Sequence, residues 1–238
     1  MRFLVFLVLA LALTACGSGS GAQPAQPTAE PVDGGLEASS DQRFPNAAIE
    51  DVASFADQLA IVRIEKDRAL PFSSPEERAA GEGYLPRLAT LSVEETLWRR
   101  GGAPTSPPDV IEMELLGWLA KSDKEPRKFV DGLGPWPEVG DRVLMAMVVV
   151  HETWSPYSSD TTWPLRDRTT LDIEGARTSS YVGERLAGQS ADAIAAAVAA
   201  AKPYAVTLEH PDLSAEDRLE IMKRGEPTST ARGPNEVP

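Results

Sequence analysis

The chain has 238 residues, a formal net charge of −13, 42% hydrophobic residues and a single cysteine. An acidic surface of this size repels nucleic acid, and no basic stretch interleaved with aromatics offsets it, so no nucleic-acid partner is expected. One cysteine excludes an intrachain disulfide, which leaves the fold to rest on its hydrophobic core; the chain is long enough to bury one.

Residues 1–15 have the parts of a secretory signal. Arg2 and the amino terminus carry positive charge, residues 3–13 are all apolar, and Thr14 and Ala15 are small. The apolar run falls short of the roughly 20 residues that a spanning helix needs. Leu13-Thr14-Ala15-Cys16 resembles the lipobox of bacterial lipoproteins. That resemblance implies a diacylglyceryl group on the sulfur of Cys16, cleavage between Ala15 and Cys16, and frequent acylation of the new amino group. It further implies a protein anchored by lipid in a cell membrane or outer membrane, facing the extracytoplasmic side. One acyl chain holds a protein marginally, whereas two or three hold it stably. Residues 16–45 are rich in Gly, Ser, Ala, Gln and Pro and read as a flexible tether.

The folded domain is expected over residues 46–208. Asn46 can cap a short helix carrying Ile49, Val52, Ala53 and Ala56 at helical spacing. A strand follows over 59–66, apolar at its start. Ser74-Pro75-Glu76-Glu77 has the cap, proline and glutamate of a helix start, and Gly81 stops that helix early. The second strand, 88–98, puts Leu91, Val93 and Leu97 on one face. Glu95 falls on that same face, which predicts a β-bulge. Ile111, Met113 and Leu115 alternate with Glu112 and Glu114 in a half-buried strand. Residues 121–141 read as loop. The run 143–150 is rich in valine and is the expected central strand. Shorter strands are expected over 169–173 and 179–182. Ser190 caps a helix over 191–202, with Asp192 in its first turn and Pro203 beyond its end. Residues 209–238 read as a charged, largely disordered tail, with a small exposed helix over 214–224.

These elements predict a mainly β fold: a small antiparallel barrel with an N-terminal helix and a C-terminal helix at its flanks. Leu59-Ala60-Ile61-Val62, the stretch from Val93 to Gly101, Gly140-Asp141-Arg142-Val143-Leu144 and Gly188-Gln189-Ser190 follow one another in an order that resembles the OB-like barrel domains of uncharacterised secreted bacterial proteins. The resemblance covers residues 46–203 and implies a fold; function must come from a site.

Candidate chemistry is sparse. His151-Glu152-Thr153-Trp154-Ser155 begins like a zinc-protease motif, but its fifth residue is serine and its setting is a strand. Gly188-Gln189-Ser190 lacks the second glycine of a nucleophile elbow, and Ser190 is explained as a helix cap. Glu94 and Glu95 point to opposite faces of a strand, and Glu112 and Glu114 share a solvated one. No catalytic residue, metal set or cofactor is assigned. Residues 154–163 read as an aromatic-rich loop after the central strand, and its Trp154, Tyr157 and Trp163, together with Trp136 in another loop, form the expected binding surface for an unknown protein or glycan partner. The expected function is that of a binding module of the cell envelope. The alternative is an envelope hydrolase using carboxylates or a metal near His151.

Overall fold

Alternating apolar side chains and short turns fold the chain into one antiparallel sheet backed by helices. The computed structural model describes residues 43–103, 106–122, 124–129, 136–170, 186 and 188–225. In chain order the elements are α1 (Ile49–Phe55), β1 (Gln58–Ala69), α2 (Pro75–Ala80), β2 (Gly83–Arg99), β3 (Val110–Lys121), β4 (Lys124–Lys128), β5 (Arg142–Val150), β6 (Thr153–Pro156), a 3₁₀ turn (Ser159–Thr161), β7 (Thr162–Arg166) and β8 (Thr169–Thr170). Three further helices follow: α3 (Ala191–Ala200), α4 (Ala205–Glu209) and α5 (Ala215–Arg224). Among the described residues no helix is long and apolar enough to cross a membrane.

The sheet runs β4-β3-β2-β1-β5-β7-β8, and β6 also pairs with β5. β6 takes the C-terminal half of β5 and β7 its N-terminal half, both on the edge away from β1. Strands four positions apart in a flat sheet would lie about 19 Å apart, yet β3 and β6 approach within 8 Å between Cα atoms. The sheet is therefore strongly curled. Among the described residues it does not close, because no pairing joins β4 to β8 or β3 to β6. The mainly β, antiparallel reading holds, and the closed barrel gives way to an open, rolled sheet. One physical reason lies in β4. Lys124-Glu125-Pro126-Arg127-Lys128 is exposed throughout, and its charges and proline discourage further pairing.

Curling buries both faces of the middle strands, which explains why β5 is apolar after Arg142 and why β1 is apolar over residues 59–62. Leu59 and Ile61 of β1 and Leu144, Ala146 and Val148 of β5 face α1, α3 and α5. Ala60, Val62, Ile64, Val143, Met145 and Met147 face the inside of the roll, where they meet Ala89, Leu91, Ile111 and Met113. The bulge expected at Glu95 is present: between Val62 and Leu59, β2 advances five residues while β1 advances three. The strands expected over 171–173 and 179–182 lie outside the described residues.

The helices begin where the sequence places them, with adjustments. Ser74 accepts a hydrogen bond from the Glu77 N–H, and Glu77 reaches back to the Ser74 N–H, which completes a capping box. Ser190 caps α3 through the Ala193 N–H. For α1 the cap is Ala48, not Asn46; it has no side-chain acceptor for the first turn, and Asp51 reaches back to accept the Ala48 N–H at 2.8 Å. The other oxygen of Asp51 accepts from the Tyr204 hydroxyl at 2.6 Å, which ties α1 to the start of α4.

The segment read as tail is partly inside the domain. Ser214 caps α5, as its position suggests, but α5 is packed rather than exposed. Ala215 and Leu219 join the core, and Arg218 is fully buried. A buried charge cluster holds this region. Asp57 and Arg100 form an ion pair at 2.7 Å, both side chains 3% exposed. The second oxygen of Asp57 accepts from the Val149 N–H at 2.8 Å, which extends the β5 edge. Arg100 also donates to the carbonyl of Pro211, and Arg218 to that of Leu213. Burial, reinforced by the Arg100 charge, lowers the Arg218 pKa to about 10.

Candidate functional site

The site begins with an irregularity in the β2–β3 ladder. Between Leu85 and Arg87, β2 advances two residues while β3 advances three, so β3 carries a bulge at Leu116 and Gly117. A Cβ on Gly117 would stand 1.9 Å from the Leu85 carbonyl oxygen, so the close approach needs glycine. The Gly117 N–H donates to the Tyr84 hydroxyl at 2.9 Å. Bulges re-aim neighbouring side chains, and this one sits beside Arg87.

Arg87 is 1% exposed. Its Nε donates to Asp67 Oδ2 at 2.8 Å, and Nη2 makes an ion contact with the same oxygen at 2.5 Å. The Trp136 ring centre lies 4.7 Å from the guanidinium carbon, a cation–π contact. Trp136 also meets Trp118 edge-on, with ring centres 5.5 Å apart. Among the described residues neither terminal nitrogen of Arg87 has a hydrogen-bond partner: Nη2 has only its ion contact with Asp67, and the buried Nη1 has none.

Arg87 and Trp136 form one wall of a cavity of about 440 Å³. The size lies within the usual range for small-ligand pockets. The lining also includes Ser155 of β6, Thr162 of β7, and Tyr157 and Ser158 between them. Tyr157 is anchored firmly. It stacks on Phe44 with ring centres 5.6 Å apart, and its hydroxyl donates to the Pro45 carbonyl. Burial, followed by the nearby Asp51 charge, pushes its pKa well above the ordinary tyrosine value. Arg43 and the exposed Glu114 complete the charged part of the lining.

Of the four aromatic residues singled out from the sequence, Trp136 and Tyr157 come together in this cavity. Trp154 is half-buried against the inside of the roll, and Trp163 is 5% exposed within the helix-facing core. The stretch 154–163 is not a loop. It consists of β6 and β7 with the 3₁₀ turn between them. Residues 124–128, within another expected loop, form the edge strand β4. Ala15 and Cys16 lie outside the described residues. Arg87 is absent from the sequence reading, although a signal for it exists: it has the same parity as Ala89 and Leu91, the buried register of β2.

The other candidates take structural places. His151 and Glu152 are the two residues of the β5–β6 hairpin turn, both left-handed with φ of 47° and 65°. The His151 side chain is 80% exposed, with Nδ1 3.6 Å from Glu216 Oε2. The two residues border a shallow depression with Glu216, Asp217 and Glu220. Among the described residues, no three His, Cys, Asp or Glu side chains are grouped to hold a metal ion. Glu94 bridges Arg63 Nε at 2.8 Å and Arg142 Nε at 2.6 Å. Burial pushes the Glu94 carboxyl up, but the hydrogen bonds and charges of Arg142 and Arg63 outweigh it and hold the pKa below the ordinary value. Glu95, on the other face, pairs with Arg168, which also holds Asp192. Ser190 acts as the helix cap. No protein family, curated protein or solved structure matches this chain.

Proposed function

We propose that this chain is a lipid-anchored, extracytoplasmic binding protein of the bacterial cell envelope, with its ligand site in the cavity between Arg87 and Tyr157. Cys16 is the lipidated residue and the Ala15–Cys16 bond the cleavage site. Residues 16–45 tether the domain to the membrane, and the rolled sheet is an OB-like variant that leaves its edge open. The single observation that carries the binding reading is the buried Arg87 guanidinium, whose Nη1 has no partner among the described residues, in a residue that lines a cavity of ligand size. A buried donor without an acceptor costs about 1–3 kcal/mol, and a ligand oxygen would offset that cost. The hydrolase reading has less support. His151 is exposed on a hairpin turn, and the carboxylates at Glu94 and Glu95 are engaged by arginines.

Two experiments test the two halves of this reading. Metabolic labelling with palmitate should mark the wild type and leave Cys16→Ser unlabelled; equal labelling of both, or of neither, rejects the anchor. A thermal-shift screen of small polar ligands should find compounds that stabilise the wild type but not Arg87→Gln or the cavity-filling Leu116→Trp. A screen in which no stabiliser depends on those positions rejects the cavity as the binding site.

A further inference from the structure

We infer that the cavity takes a sugar ring bearing a carboxylate, with the carboxylate on Arg87 and the ring against the aromatic wall. The inference rests on the binding reading above and adds the chemical class of the ligand. Arg87 supplies the first part of the argument. Asp67 occupies its Nε and Nη2 side, so the Nη1 edge is the part left for an incoming group. A guanidinium edge favours a carboxylate, since the bond is charge-assisted and roughly twice as strong as a neutral one. Asp67 balances the Arg87 charge, so the preference for a carboxylate rests on the unfilled donors of the guanidinium and not on a net positive lining.

The remainder of the lining selects the body of the ligand. The half-buried Trp136 offers apolar ring surface, which suits the C–H face of a pyranose or an aromatic ring, while Tyr157, 3% exposed, adds little. Ser155, Ser158 and Thr162 line the same cavity; the Ser158 and Thr162 hydroxyls already donate to Thr161 Oγ1 and the Ser158 carbonyl, which leaves their oxygens as acceptors for a ring edge rich in hydroxyls. Their presence favours a sugar over a plain aromatic acid. The Trp136 indole lies over the guanidinium, so a ligand that reaches Nη1 must shift the indole. Binding should therefore change tryptophan fluorescence.

The test uses the full chain in detergent and a matched pair of probes. One is the β-1,4 disaccharide of N-acetylglucosamine and N-acetylmuramic acid. The other is chitobiose, which lacks the lactyl carboxylate. Benzoate, a carboxylate on a ring without hydroxyls, is the third probe. Calorimetry should show the acidic disaccharide binding at least tenfold more tightly than chitobiose, with benzoate weaker than either sugar. Its fluorescence response should disappear in Trp136→Phe. Arg87→Gln should bring the acidic disaccharide down to the affinity of chitobiose. Because Arg87 is buried and its variant can fail to fold, Leu116→Trp serves as a second variant that fills the cavity from β3 and should block both sugars. Equal binding of the two disaccharides overturns the carboxylate assignment. Binding of benzoate in preference to both overturns the sugar assignment while the binding reading stands. Failure of all three probes, alongside ligands in the thermal screen that depend on Arg87, overturns this inference alone. Failure of the probes and of the screen together overturns both.

Discussion

Replacing Asp57 by asparagine should show how much of the domain's stability depends on one buried charge. Asp57 is the anionic member of a cluster with Arg100, 2.7 Å away, and Arg218, which is fully buried. Asparagine keeps an oxygen for the Val149 N–H, so the backbone bond at the edge of β5 survives. The charge is lost, and two cations then remain without it in a low-dielectric setting. Removing one partner of a buried pair costs about 3–5 kcal/mol. A domain of this kind has about 5–15 kcal/mol in total, so the loss is a large fraction. In a melt it corresponds to roughly 6–20 °C for a domain of 150–250 residues. The assay is urea denaturation followed by tryptophan fluorescence, with circular dichroism as a second probe. The double variant Asp57→Asn/Arg100→Met should lose at least 1 kcal/mol less than the sum of the two single losses, since the members of the pair act together. A loss under about 1 kcal/mol for Asp57→Asn would refute the reasoning, because that is the value of a solvated surface pair.

Three further outcomes follow from local geometry. Gly117→Ala places a methyl group 1.9 Å from the Leu85 carbonyl, so the β3 bulge must shift; stability should fall by about 1–3 kcal/mol in a denaturant titration, and ligands found for the cavity should weaken. Glu152→Gly relieves a left-handed residue at φ 65° in the β5–β6 turn and should stabilise the fold by about 1 kcal/mol in a thermal melt; no gain would show that the turn carries no strain. Glu94 titrates below its ordinary value of 4.5 in the folded chain. A depressed carboxylate stabilises the fold above its unfolded pKa, and that contribution fades as pH falls through the folded one. Stability measured from pH 6 down to about 3 should therefore fall more steeply in the wild type than in Glu94→Gln, and parallel curves would count against it.

The sequence reveals strands more readily than it reveals their orientation. The apolar runs of β1 and β5 mark buried strands, but with both faces covered there is no alternation to say which side meets the helices. The bulge near Glu95 is legible because a charge interrupts a regular pattern. The bulge at Gly117 is not, because glycine is silent in a polarity pattern and its role is a close backbone approach. The expected strand starts at Leu88 and leaves Arg87 outside it, whereas β2 runs from Gly83 through Pro86. The aromatics after β5 mislead for a related reason. Pro156 and Pro164, with the serines between them, read as loop, yet both prolines pair with β5 on its outer edge, where a missing N–H is tolerated. Trp163 and Tyr157 are consequently core residues rather than exposed ones.

How the arginines are engaged narrows the choice of site further. Arg63 and Arg142 are paired with Glu94, and Arg168 with Glu95 and Asp192; all three are largely structural ties between elements. Arg100 and Arg218 are buried and keep nitrogens unmet among the described residues, but both are bound up with Asp57 and the carbonyls before α5, and neither lines a cavity described above. Arg87 alone among these combines an unmet nitrogen with a cavity wall. A purely structural arginine at that place could be replaced by an apolar residue without much loss, since a buried ion pair is often no better than good packing. Replacing both Arg87 and Asp67 by leucine or methionine therefore separates the two roles. If the pair serves structure alone, the double variant should keep its stability and ligands found for the cavity should still bind. If it serves a ligand, the double variant should keep most of its stability and lose every ligand response that depends on the cavity.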